Sequence, residues 1–212
     1  MREEFGRFRE NRTPAEKSMK HLGRKFFHLF GGLGLLAVYF IFQRERALLI
    51  YGALLLVVLA AEIVRLTFPP LNRFIYARFP GVIRTTEERR LSGIVPYILG
   101  VGLSLYAYSL PAASAAVCFL AFGDVAATTV GERFGRTKIG GKSLEGTAAF
   151  IIAAGAAGGL VSNFFIGFSF WIVILGAVAA AVVELLPLPV NDNFAIPILS
   201  GAAMESALRW LG

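Results

Sequence analysis

Five ionisable side chains stand inside or at the ends of long apolar runs: His28, Glu62, Asp124, Glu184 and Glu205. Titratable groups in such runs are costly to keep, so each is a candidate for ion pairing, metal binding or proton transfer. Beside Asp124 the chain is rich in a second kind of chemistry. Gly123-Asp124 is followed by Gly131, Gly135, Lys138, Gly140-Gly141-Lys142-Ser143 and Glu145-Gly146. Glycines let backbone amides come close to phosphate oxygens, and lysines add point charges. A carboxylate at the entry of such a loop can hold a divalent cation bridging the phosphates. The spacing is not that of a Walker loop, and no strand pattern precedes it, so a P-loop nucleotidase is excluded. Taken alone, the same residues also describe a basic connection with helix-packing glycines.

Three further polar clusters accompany this one. Arg24, Lys25 and His28 are spaced to share one side of a helix. Glu87-Glu88-Arg89-Arg90-Leu91-Ser92-Gly93 precedes a charge-free run, where its arginines either anchor that run or meet an anion. Glu184 and Asn191-Asp192-Asn193 flank a connection without Lys or Arg. Acid left unneutralised beside amides, opposite a basic loop, suits metal ligation better than a plain surface.

The elements that must position these groups are membrane helices. Of 212 residues, 56% are hydrophobic and 17% charged, and mean hydropathy is +0.66. Soluble domains carry near 25% charge. Leu91–Gly123 and Gly146–Val183 contain no charged residue, and each is long enough for two spans and too long for one. Ser109-Leu110-Pro111 breaks the first, and the Gly- and Asn-bearing stretch from Ser162 to Gly167 breaks the second. Phe26–Phe42, Ala47–Val64 and Phe194–Leu211 supply three more segments. The expectation is an all-α polytopic membrane protein of about seven helices, with six if the first is interfacial. Cys118, the single cysteine, has no partner for an internal disulfide.

The net charge of +7 comes from 21 Lys and Arg against 14 Asp and Glu. All but Arg44, Arg46 and Arg209 fall in residues 1–25 or in the connections after the second and fourth helices. Basic residues mark the cytoplasmic side, so the N-terminus is expected inside and the C-terminus outside. A nucleic-acid role is excluded because no basic segment belongs to a soluble module. Thr13-Pro14-Ala15-Glu16 reads as a helix start. It leads into a helix that either lies amphipathically on anionic lipid or feeds the active site with its far end. Residues 1–25 are then a basic cytoplasmic segment, and 26–212 a single transmembrane domain. A fourth helix beginning near Ala112 reaches Asp124 after about 18 Å, a turn or two below the cytoplasmic face. Glu205 is expected near mid-membrane in a structural ion pair.

These residues resemble a family. Arg24-Lys25-Phe26-Phe27-His28 is similar to its R-K-x-x-H element, and residues 123–146 to its G-D-x-x-A…G…F-G…K…K-S-x-E-G signature. Residues 191–201, NDNFAIPILSG, resemble its D-D-N-x-x-I-P-x-x-S-G ending. The family is the CTP-dependent lipid-alcohol kinases: dolichol and polyprenol kinases, phytol kinases and the yeast-type diacylglycerol kinase. They are distant relatives of phosphatidate cytidylyltransferases. Asn191 stands where the family has Asp, which shifts the expected metal ligation onto Asp192.

The resemblance implies transfer of the γ-phosphoryl group of CTP to the hydroxyl of a membrane lipid alcohol. It implies Mg²⁺ held by Asp124 and Asp192, helped by Glu145. Lys25, Arg89, Arg90, Gly131, Gly135, Lys138, Gly141, Lys142, Ser143 and Asn193 would bind the nucleotide, with Lys142 also catalytic. His28 or Asp124 would accept the alcohol proton. The membrane is the plasma membrane or the endoplasmic reticulum, with the site on the cytoplasmic face. Two rivals stand beside this reading, a cytidylyltransferase making a CDP-lipid and a small transporter. The transporter predicts polar residues through both leaflets, whereas here they gather at one face. The Gly/Ala-rich run Ala153–Gly159 offers a close packing face that would serve a homodimer.

Overall fold

The apolar runs fold as helices, because a chain shielded from water must satisfy each backbone N–H and C=O internally. The computed structural model describes residues 14–78, 87–165 and 168–211. Thr13 and the basic residues Arg2, Arg7, Arg9, Arg12 and Arg84 lie outside the described residues. Helix α1 (Pro14–Thr67) carries one non-helical residue, Gln43, at φ 61°. The two halves of α1 double back there. Tyr51 donates its hydroxyl hydrogen to the Leu35 carbonyl, although 16 residues of straight helix would separate them by about 24 Å. Residues 14–25 are the opening turns of the same helix, with no break before the first apolar segment.

The remaining helices are α2 (Pro69–Arg78), α3 (Ile94–Ala107), α4 (Leu110–Cys118), α5 (Asp124–Phe134), α6 (Leu144–Ser162), α7 (Phe170–Leu185) and α8 (Asp192–Leu211). Among the described residues, three helical stretches are long and apolar enough to cross a membrane: Lys25–Thr67, Leu110–Phe134 and Leu144–Ser162. The chain is an all-α membrane protein, as its charge-free runs lead one to expect.

α4 is the centre of the molecule. Its residues are small, and Ala112 through Cys118 are buried, so α1, α3, α6, α7 and α8 all approach it closely. α4 does not end at Cys118; it passes through a π-turn, Phe119–Gly123, directly into α5. A π-turn inserts one residue into the helical repeat and so re-aims the side chains beyond it. The residue immediately beyond it is Asp124. Part of the Gly/Ala run of α6 packs within the chain. A Cβ at Gly158 would come 2.6 Å from both Phe119 and Val173, which removes that glycine from a face open to a second copy.

Glu205 has the ion-pair partner expected of it. It reaches the turn between α3 and α4, where its carboxylate accepts the Ser109 N–H at 3.0 Å and lies 3.7 Å from Arg209. It caps the central helix at the end opposite Asp124.

Candidate active site

The polar groups at the other end converge from four directions. α1 contributes His28, 2% exposed, whose carbonyl accepts the Tyr97 O–H at 2.6 Å. The Tyr97 ring stands edge-on to the imidazole with centroids 5.3 Å apart, so α3 fixes the position of His28. The π-turn delivers Asp124 opposite, with its Oδ2 3.3 Å from His28 Nδ1.

The connection after α5 is a two-residue β-hairpin, β1 (Lys138–Ile139) against β2 (Lys142–Ser143). Gly140 and Gly141 turn it at φ +55° and +91°, the positive values that a tight hairpin turn of this hand requires. The turn throws Lys142 back toward the helix ends. Its Nζ lies 2.8 Å from Asp192 Oδ2 and 3.3 Å from Glu184 Oε1, and it donates to the Glu184 carbonyl. Glu184 closes α7, Asp192 opens α8, and Asp124 also acts on Glu184 electrostatically. Two buried acceptors here have no hydrogen-bond partner: Glu184 Oε2 and Asn193 Oδ1.

The fourth wall is the segment Glu87–Gly93. Arg65, 1% exposed, holds it from behind. Its guanidinium makes a two-pronged pair with Glu62, at 3.1 and 2.8 Å. It also donates to Asn72 Oδ1 at 2.9 Å and to the Arg90 carbonyl at 2.7 Å. Glu62 in turn accepts the Ser92 N–H at 2.8 Å. On the near side Asn193 Nδ2 donates to the Gly93 carbonyl at 2.9 Å. Arg89 and Arg90 are left exposed at this end.

The structure therefore brings together His28 with Asp124, and Lys142 with Asp192 and Glu184, and ties Asn193 to the arginine-bearing segment. Other expected site residues are placed differently. Lys25 pairs with Glu132 of α5 at 3.5 Å. Lys138 and Gly141 are exposed on the hairpin. Gly131 and Gly135 pack on Ser143, whose Oγ a Cβ would meet at 2.9 and 2.6 Å respectively. These glycines let α5 close on the hairpin. Ser143 is buried and caps α6, its Oγ accepting the Gly146 N–H at 3.1 Å. Glu145 is not brought to Asp124 and Asp192; its carboxylate accepts the Thr137 N–H at 3.1 Å and steadies the hairpin entry. Among the described residues no group of three His, Cys, Asp or Glu side chains is arranged to hold a metal unaided.

Tyr97 and Arg65 are residues that sequence reasoning left without a role at the site, and Glu184 was read only within an acidic cluster suited to metal, not as the partner of Lys142. The signal for Glu184 was present, a lone acid ending an apolar run. Arg65 read only as one of many basic residues in a connection.

Asn191 has a local task that accounts for either residue type. Its Oδ1 accepts the Asn193 N–H at 3.0 Å, which caps α8, and Asn and Asp serve equally there.

Known proteins supply the remaining comparison. No family model matches the chain, and no solved structure matches it. The CTP-dependent diacylglycerol kinase 1 of Saccharomyces cerevisiae is 29% identical over 221 residues, covering 90% of this chain and 74% of the yeast protein. The protein of the same name from Eremothecium gossypii is 28% identical over 215 residues, covering 88% and 67%. The chain is a relative of CTP-dependent lipid kinases. An uncharacterized protein of Rickettsia prowazekii is 28% identical over 182 residues, covering 82% of this chain and 88% of its own length. The lipid-kinase resemblance thus extends across most of the chain and is not confined to the short motifs that first suggested it.

Proposed function

We propose that this chain is a membrane lipid kinase that transfers the γ-phosphoryl group of CTP to the hydroxyl of a lipid alcohol, either diacylglycerol or a prenyl-type alcohol. The observation that carries this reading is the meeting of the His28–Asp124 pair with the Lys142–Asp192–Glu184 cluster at one end of the helices. That combination sets a proton acceptor beside a phosphate-sized group of charges. Phosphoryl transfer asks for positioning and charge neutralisation more than for covalent chemistry. The lipid oxygen forms the new bond to the γ-phosphorus as the bond to the β–γ bridging oxygen breaks. CDP leaves, and the hydroxyl proton passes to the His28–Asp124 pair. The N-termini of α6 and α8 add partial positive charge at the same end, and Arg89 and Arg90 extend the basic surface outward.

Magnesium fits this donor set. Mg²⁺ takes oxygen ligands, typically one or two carboxylates plus substrate phosphates and water. Asp124, Asp192 and Glu184 offer only oxygen, and Glu184 Oε2 is buried without a partner. Asp124 and Asp192 would hold the ion, which when bound neutralises charge on the nucleotide phosphates. The site then faces the cytoplasm by the distribution of basic residues. Residues 26–212 form one catalytic domain crossing the bilayer seven times, with residues 1–25 as its basic leader.

The decisive assay presents purified protein in nanodiscs with radiolabelled nucleotides and a panel of lipid alcohols. Label from γ-labelled CTP should appear in a phospholipid, with CDP released. Pyrophosphate release would instead indicate a cytidylyltransferase, and transfer to no alcohol would end the kinase reading. Asp124→Asn should abolish transfer while leaving the protein folded.

A further inference from the structure

Lys142 is surrounded by acceptors before any phosphate arrives. An ammonium has three N–H donors, and three oxygens surround this one. They are Asp192 Oδ2 at 2.8 Å, Glu184 Oε1 at 3.3 Å and the Glu184 carbonyl. In this arrangement two of its donors are engaged in hydrogen bonds and its charge is held against two carboxylates. The charges around it are also unbalanced: one cation faces two carboxylates, with Asp124 acting on Glu184 as well. Glu184 is 5% exposed, and its second oxygen, Oε2, is buried with no hydrogen-bond partner. A buried carboxylate oxygen left unpaired is expensive, and the acceptors gathered round Lys142 are all hard oxygen donors. That description fits a divalent cation better than it fits an ammonium, since two positive charges balance two carboxylates and oxygen ligands suit Mg²⁺ or Mn²⁺.

We propose that Lys142 Nζ occupies a divalent-cation seat in which Glu184 is a further protein ligand beside Asp192, so that lysine and metal compete for it. Resting on the kinase reading, the exchange follows when nucleotide phosphates draw Lys142 away and the metal takes its place. Glu184 is thereby a metal ligand and Lys142 an exchangeable counter-ion. The hairpin is suited to this. Gly140 and Gly141 bend it at positive φ, and the Lys142 side chain is 30% exposed, which leaves it room to swing outward.

The test uses Mn²⁺ as the probe, with the full chain purified in detergent and no nucleotide present; free Mn²⁺ is read by electron paramagnetic resonance. Lys142→Met should bind Mn²⁺ more tightly than the parent protein. Removing a unit charge from about 4 Å of a divalent ion corresponds, even at the dielectric of bulk water, to about thirtyfold. Adding Glu184→Gln to Lys142→Met should reverse the gain. Lys142→Gln keeps donors for the neighbouring oxygens while removing the charge, and it should show the same sign if the Met variant fails to fold. A lysine that serves only to hold phosphate predicts unchanged Mn²⁺ affinity without nucleotide. Unchanged or weaker binding in both Lys142 variants would overturn the proposal. The binding assay needs no turnover, so a failure of the kinase reading in the nucleotide and alcohol panel is scored separately.

Discussion

Replacing Arg65 with Met should be among the most damaging single changes in the chain, and the structure gives the reason and the size. The guanidinium is 1% exposed and neutralises Glu62, itself 5% exposed, through two contacts at 2.8 and 3.1 Å. The same group binds the Arg90 carbonyl at 2.7 Å and Asn72 at 2.9 Å. Methionine fills much of the volume but leaves the Glu62 carboxylate with only the Ser92 N–H at 2.8 Å. Removing one partner of a buried ion pair costs about 3–5 kcal/mol. In a chain of this length each kcal/mol moves the unfolding midpoint by about 2–4 °C, so a fall of roughly 6–20 °C is expected. The assay is the apparent unfolding midpoint in detergent, followed by fluorescence, for three variants: Arg65→Met, Glu62→Met and the double. The double variant should be more stable than Arg65→Met, because it leaves no uncompensated buried charge. A midpoint for Arg65→Met within 2 °C or so of the parent would refute the reasoning. So would a double variant worse than the sum of the singles.

Three other outcomes follow from particular contacts. Gly123→Ala drives a Cβ to 2.7 Å from the Phe150 ring. It should cost about 1–3 kcal/mol by overpacking, and Phe150→Leu in the same chain should restore part of the loss in the unfolding midpoint. Asn191→Asp should leave stability within about 0.5 kcal/mol because either side chain caps α8, whereas Asn191→Ala should lower it by about 1 kcal/mol; both are read by chemical denaturation in mixed micelles. Glu205→Leu removes the acceptor of the Ser109 N–H. It should destabilise by about 1–3 kcal/mol while leaving the apparent KM for CTP unchanged, since Glu205 sits at the end away from Asp124.

What the sequence made legible depended on whether the governing interaction was local. Charge-free runs need only counting, and the helices lie where those runs are. The pairing of basic and acidic clusters at one end could be anticipated as well, because helices of known rise set the depth of Asp124 and Glu184. Properties set by distant partners were out of reach. Arg65 is one arginine among many until the chain brings the carbonyl of Arg90 and the amide of Ser92 against the ends of α1. Lys142 finds Glu184 and Asp192 some 42 and 50 residues onward, a choice no spacing rule encodes. The π-turn before Asp124 has no composition of its own; Phe119–Gly123 would serve equally as ordinary helix, and packing of the central helix on its neighbours decides otherwise.

The glycines show the limit most sharply. Both readings of Gly131 and Gly135 require that something approach the backbone closely, and in the structure something does. Sequence cannot say whether the approaching group is a phosphate oxygen or a hydroxyl of the same chain. In the structure it is Ser143 Oγ, so these glycines let the hairpin that carries Lys142 lie against α5. A side chain at Gly135 would therefore displace Lys142 from Glu184 and Asp192 before it touched any phosphate. Glycines of this loop thus bear on the position of the lysine whether or not a phosphate also meets them.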